Sequence, residues 1–203
     1  MTAQERLPRS PELMSRRDTG LLVVDMQERL LRVLPDAQRL VWNVRRLLDG
    51  ARLLGIPFAA SEQYPQGLGP TVAPLRERLA EIPAKLTFSC GGLPTLFDRF
   101  RTQDIDKLLV VGIETHVCVQ QTALDLLASG FRVYVAIDAV GSRHELDHQT
   151  AVRRIESAGA VLTTTEAALF EWCDQAGIPE FKQLSALVRE PFSPLVERDG
   201  AAP

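Results

Sequence analysis

The stretch Leu108-Leu-Val-Val-Gly-Ile-Glu-Thr-His-Val-Cys-Val119 passes from a continuous apolar run into an amphipathic one through a short turn. The run Leu108–Val111 has no polar alternation, the mark of a strand covered on both faces. Val119, Ala123, Leu126 and Leu127 then recur at helical spacing as far as Gly130, and a second apolar run, Val133–Ile137, follows. Strand, helix and strand in this order make a βαβ unit, whose right-handed crossover leaves the strands parallel.

The same alternation extends outward from this unit. Leu21–Val24, Phe58–Ala60 and Val161–Leu162 are further short apolar runs, and Lys85–Phe88 can supply another strand. Between the first two, Val41, Val44, Leu47, Leu48, Ala51 and Leu54 keep a helical period, opened by Asp36 after Pro35 and closed by Gly55. Val152, Ile155 and Ala158 repeat it before Gly159, and each such glycine suits a left-handed helix cap leading into a buried strand. The expected fold is α/β: a three-layer α/β/α domain with an open parallel sheet of about six strands, Rossmann-like and doubly wound. It is expected to occupy residues 18–190. Residues 1–17, with Pro8, Pro11 and unpatterned charges, read as an N-terminal arm outside the core, and residues 191–203 as a C-terminal tail.

Composition narrows the function. The 203 residues are 45% hydrophobic and 24% charged, which excludes wholesale disorder, and the formal net charge of −3 argues against nucleic-acid binding. No apolar run approaches the roughly 18 residues of a membrane helix. The first residues lack the apolar stretch of a signal peptide. Cys90, Cys118 and Cys173 are an odd number with no C-x-x-C spacing, so neither a disulfide framework nor a zinc knuckle is expected, and a reduced, cytoplasmic chain is the default.

Ligands of open parallel sheets bind beyond the carboxyl ends of the strands, which is where chemistry is sought. Asp25 directly follows four apolar residues. It suits a general base at that edge, although a helix cap or structural ion pair reads equally well. Cys118 stands at the strand–turn–helix junction, in the first helical turn. The exposed N–H groups there favour a thiolate and can receive an oxyanion, so a nucleophile is preferred over an inert cysteine, and Cys118 is expected to be the one fast-reacting thiol. Cys90, before Gly-Gly, and Cys173, late in a helix, read as structural. Lys85 stands among apolar neighbours, although a solvated edge lysine is the commoner case. His144 and His148 share a helix face without an evident third metal ligand, and His116, two residues from Cys118, is expected to point away from it. Neither a G-x-G-x-x-G nor a G-x-x-x-x-G-K-[ST] phosphate cradle is present.

Asp25 after the first strand, Lys85 at the third and Cys118 after the fourth together resemble the isochorismatase-like cysteine hydrolases. The matching stretches are Leu22–Gln27 (Leu-Val-Val-Asp-Met-Gln), Lys85–Ser89 (Lys-Leu-Thr-Phe-Ser) and Val111–Val119, with Gln121–Leu127 and Asp138–Arg143 as further family-like segments. Glu62-Gln63-Tyr64-Pro65 and Gly67-Leu68-Gly69 resemble a metal-free branch, the isochorismatase-domain-containing proteins, more than the nicotinamidases. The resemblance implies a catalytic triad of Asp25, Lys85 and Cys118. It also implies a non-proline cis peptide at Ile113–Glu114, with the backbone N–H groups of Glu114 and Cys118 forming an oxyanion hole. No metal is expected, because Ser61-Glu62-Gln63-Tyr64 lacks the histidine of the metal-binding relatives, and no cofactor is expected. The implied activity is hydrolysis of a C–N bond in a small amide or ureido compound through a thioester, by a homo-oligomer. The substrate pocket is expected at Glu62, Gln63 and Tyr64 and at Phe88, taking a mostly neutral molecule. No arginine clamp for a dicarboxylate is evident unless the loop of Arg143 reaches the crevice. Two alternatives stand beside this: vinyl-ether hydrolysis of an isochorismate-type substrate, which needs no thiol, and a non-catalytic binding or scaffold subunit. A redox thiol protein ranks last, for want of a close resolving cysteine.

Overall fold

The computed structural model describes residues 7–194. Along the chain lie β1 (Thr19–Val24), α1 (Glu28–Leu31), α2 (Ala37–Leu54), β2 (Phe58–Gln63), α3 (Pro65–Leu68), α4 (Ala73–Arg76), β3 (Ala84–Lys85), α5 (Pro94–Arg101) and β4 (Lys107–Ile113). They are followed by α6 (Gln120–Ala128), β5 (Arg132–Gly141), α7 (Glu145–Ser157), β6 (Val161–Thr163), α8 (Thr165–Cys173) and α9 (Phe181–Val188). All strand pairings are parallel, in the order β3-β2-β1-β4-β5-β6. The sheet is doubly wound, and its order reverses between β1 and β4, the switch point at which such folds bind ligands.

The unbroken apolar runs follow from two covered faces. In β1, Leu21 and Val23 pack into one core with Leu47 and Leu48 of α2, Trp172 of α8 and Leu184 of α9. Leu22 and Val24 pack into the other, with Phe97 and Phe100 of α5, Leu126 of α6 and Ile155 of α7. Alternate residues thus serve opposite layers, each fully buried aliphatic side chain contributing about 1.5–3 kcal/mol. At the switch point β4 passes so close to β1 that a Cβ on Gly112 would lie 2.0 Å from the Val24 carbonyl oxygen. With φ at +119°, that position admits little but glycine. The β4–β5 register also shifts between Val110 and Gly112, where β5 runs from Val135 to Val140, so the extra residues bulge out of β5 beside the end of β4.

Three local expectations are corrected. Residues 9–17 are not an arm outside the core. Met14 is fully buried in the α2 layer, its N–H donates to the Glu171 carboxylate at 2.8 Å, and the Tyr134 hydroxyl donates to the Glu12 carbonyl at 2.6 Å. The segment covers the amino ends of the central strands, which would otherwise be open to water. The strand read at Lys85–Phe88 ends at Lys85, because the Leu86 and Phe88 carbonyls are taken by the side chains of Gln63 and Lys85. Cys118 does not open an α-helix: Thr115–Val119 form a π-helical turn, and α6 begins only at Gln120. Of the tail, Phe192 rests edge-on against Trp42 at 5.5 Å, and residues 195–203 lie outside the described residues, as do residues 1–6.

Candidate active site

Four strand ends converge at the switch point. Asp25 leaves β1 in the left-handed region with φ at +51°, a conformation that aspartate tolerates better than most residues at a cost of about 1–3 kcal/mol. Its backbone N–H donates to the Ser61 carbonyl at 3.1 Å, which ties it to the end of β2. The carboxylate has no solvent exposure. Its Oδ2 accepts from Lys85 Nζ at 2.7 Å, and its Oδ1 accepts from Ser61 Oγ at 2.7 Å.

Lys85 closes the short β3 and is equally enclosed. Its ammonium donates to Asp25, to Gln63 Oε1 at 2.8 Å and to the Phe88 carbonyl at 2.8 Å. An ammonium has three donors, and all three are used. Lys85 is therefore anchored on three sides, by β1, by β2 and by its own loop. Paired and fully hydrogen-bonded charges of this kind are what a dry interior tolerates.

Cys118, 5% exposed, presents its thiol to the same carboxylate. Burial, and next the negative charge of Asp25, push this thiol well above its ordinary range, with Lys85 opposing. This corrects the expectation of a thiolate stabilised by a helix start. Burial and the neighbouring carboxylate both disfavour the thiolate here, with Lys85 opposing them. Such a pair yields a nucleophile only as the proton moves to Asp25.

The bond between Ile113 and Glu114 is cis, at the position that the family resemblance implies. Glu114 N-caps the π-turn, and its carboxylate accepts from Arg143 Nε at 2.9 Å and from the Arg143 N–H at 3.2 Å. The loop after β5 thus does reach the turn that carries Cys118. His116 points its Nδ1 to Ser142 Oγ at 3.0 Å, and His148 pairs through Nδ1 with Thr115 Oγ1 at 3.0 Å. Among the described residues no group of three or more His, Cys, Asp or Glu side chains is placed to hold a metal ion.

The expected pocket residues divide. Gln63 spends its amide on Lys85 and on the Leu86 carbonyl at 2.9 Å, and so holds Lys85 rather than facing a ligand. Glu62 is buried and accepts from the Thr71 N–H at 2.6 Å, which braces the loop after β2. Tyr64 and Phe88 are about half exposed beside the site, at 50% and 53%. Sequence reasoning gave no role to Ser61 and Gln27, and it read Cys90 as structural. Cys90 is fully buried, with Sγ 3.3 Å from Ser61 Oγ. Gln27 stitches the loop to β2, donating to the Gln63 and Gly69 carbonyls and accepting from the Gln63 N–H. Cys173 lies apart from the site, its Sγ 3.4 Å from the Gln175 carbonyl.

An acid, an ammonium and a thiol gathered at the switch point of a 3-2-1-4-5-6 sheet define a class of α/β domain, and comparison with known proteins agrees with it. The chain belongs to the isochorismatase-like hydrolase family: the family model for the isochorismatase domain matches residues 19–167. Isochorismatase domain-containing protein 2 of Bos taurus is 39% identical over 172 residues, covering 84% of this chain and 83% of that protein. A solved structure from Caenorhabditis elegans, described as a MAR1 ribonuclease, is 38% identical, superposes with a TM-score of 0.82, and is covered over 93% of this chain and 100% of its own. The YcaC product of Escherichia coli, described as an octameric hydrolase of unknown specificity, shares the fold at 24% identity and a TM-score of 0.80, over 90% of this chain and 93% of that one.

Proposed function

We propose that this protein is a cysteine-dependent hydrolase that cleaves a C–N bond of a small amide or ureido compound through a thioester on Cys118. The observation that carries the reading is the buried carboxylate of Asp25, held by Lys85 and Ser61 at 2.7 Å each while it faces the Cys118 thiol. Asp25 takes the thiol proton as sulfur adds to the carbonyl carbon. The oxygen of the tetrahedral intermediate lies against the backbone N–H groups of Glu114 and Cys118. Asp25 then returns the proton to the leaving nitrogen, the C–N bond breaks, and an acyl thioester remains. Water, deprotonated by Asp25, attacks the thioester, and the proton goes back to sulfur as the acid departs. Lys85 remains an ammonium throughout and offsets the negative charge that passes between Asp25 and Cys118. No metal and no cofactor enter this scheme.

Tyr64 and Phe88 are the proposed pocket walls, with Glu62 and Gln63 supporting them from behind. The proposal includes a homo-oligomer, supported by exposed Leu86 and Leu146, at 78% and 74%. It also places the protein in the reducing cytoplasm, in keeping with the three free cysteines. Among the described residues no helix is long and apolar enough to cross a membrane. The test is a panel of small amides, ureas and isochorismate, read by ammonia or amine release and by pyruvate formation. Amide or urea turnover lost in Cys118→Ala supports the reading, and pyruvate release that survives Cys118→Ala overturns it. A second reading, RNA cleavage, is favoured by the description of the 38%-identical C. elegans structure as a ribonuclease. Incubating purified wild type and Cys118→Ala with single-stranded RNA separates the two.

A further inference from the structure

We propose that Ser61 is a positioning residue for the general base, and that the Cys90 thiol fixes the Ser61 hydroxyl in turn. The inference rests on the cysteine-hydrolase reading and adds two side chains outside the Asp25–Lys85–Cys118 trio. Its ground is a count of donors. Asp25 is completely buried, and each of its two carboxylate oxygens requires a partner. Lys85 takes Oδ2, and Ser61 takes Oδ1 at 2.7 Å. A hydroxyl has one proton. With that proton given to Asp25, Ser61 Oγ can only accept at its 3.3 Å contact with Cys90 Sγ, so Cys90 is the donor.

The chain of donors therefore runs from Cys90 through Ser61 to Asp25. It holds the carboxylate plane at both oxygens, leaving the base oriented toward Cys118. Cys90 is suited to the part. Its backbone N–H is pinned to Thr122 Oγ1 at 2.9 Å, and burial followed by the Asp25 charge keeps its thiol protonated. Ser61 is also held to Asp25 through its own carbonyl, so removing the hydroxyl leaves the backbone contact in place. The ionisable groups that face Asp25 are Lys85 from β3, Cys118 from the π-turn and Cys90 from a 3-10 turn, Cys90–Gly92, before α5. Ser61 from β2 is the neutral donor among them.

The test reads the nucleophile itself and needs no substrate: the rate of Cys118 carbamidomethylation by iodoacetamide, mapped by mass spectrometry, against pH. Without the Ser61 donor the buried anion is less favoured. In Ser61→Ala the acid limb of the Cys118 profile is expected to move up by about one pH unit, a roughly tenfold slowing on the limb with the upper plateau retained. Ser61→Thr, which keeps the hydroxyl, is expected to restore the wild-type limb. Cys90→Ala is expected to move it the same way by about threefold or less, and it carries the test alone should Ser61→Ala fail to fold. A lowered plateau with an unmoved limb in both variants would mean packing only and would overturn the inference. Failure of the underlying reading looks different. If wild-type Cys118 labels no faster than it does in Asp25→Asn, Asp25 is not its base, and both readings fall together.

Discussion

Two lysine–aspartate pairs stand at opposite ends of the sheet, and they are nearly superposable as distances: Lys85–Asp25 at 2.7 Å and Lys107–Asp18 at 2.8 Å. Their surroundings differ. Lys107 opens β4 at the amino edge, where it also donates to the Leu13 carbonyl, and Asp18 keeps 31% of its side chain exposed while accepting from the Ser15 N–H and the Thr19 hydroxyl. Every contact there closes a turn or ties the N-terminal segment down. At the carboxyl edge neither partner exceeds 1% exposure, and the carboxylate is shared with a thiol and a hydroxyl. An ion pair alone speaks for stability. A nucleophile placed against the same carboxylate speaks for chemistry.

The sharpest way to break the comparison is to neutralise each carboxylate. Asp25→Asn is expected to lower amide turnover by about 10⁴-fold, the scale on which loss of a base in a coupled catalytic unit is felt. Asp18→Asn is expected to leave turnover within about threefold, since Asp18 touches nothing that reacts. Steady-state assays on one substrate from the panel suffice. Similar losses in both variants would mean that the two pairs do not differ in function.

Next in size are the lysines. Lys85→Met strands a fully buried carboxylate and is expected to cost about 3–5 kcal/mol in urea unfolding. Lys107→Met leaves a partly hydrated Asp18 and should cost less, about 1–3 kcal/mol, with Cys118 labelling unchanged. Equal costs would mean that exposure of the acid does not separate the two sites.

The smallest effect is one of pH. Cys90 and Cys118 are both held protonated by burial, whereas in the unfolded chain they ionise near the ordinary thiol value of 9.0. Below that value both states hold their protons and the contribution is complete. Above it the unfolded chain alone releases them, so stability falls as pH rises, by up to about 1.4 kcal/mol per pH unit for each thiol. Unfolding free energies across that range check this, and Cys90→Ala should remove its share of the slope.

Much of this could be read from residue order. The four longest strands announce themselves as apolar runs because both faces are covered, and Asp25, Lys85 and Cys118 are marked by their places against those runs. Ser61 and Cys90 are not. Ser61 directly follows the short apolar run Phe58–Ala60, and nothing local shows that it meets a thiol 29 residues on. Gln63 looked like a pocket residue because it follows a strand; that its amide is spent on Lys85 depends on β3 pairing beside β2, a contact between segments. Met14 escaped for a similar reason. A segment with no periodicity of its own can still be buried when an exposed strand edge requires a cover.

In the proposed mechanism Cys118 carries the acyl group. Rapid acid quenching during turnover of an amide or urea from the panel, followed by peptide mass mapping, tests it most directly. A mass increase equal to the acyl or carbamoyl group is expected on the peptide containing Cys118, absent in Cys118→Ser. Turnover at an undiminished rate in Cys118→Ala, with no adduct on any wild-type peptide, would contradict it.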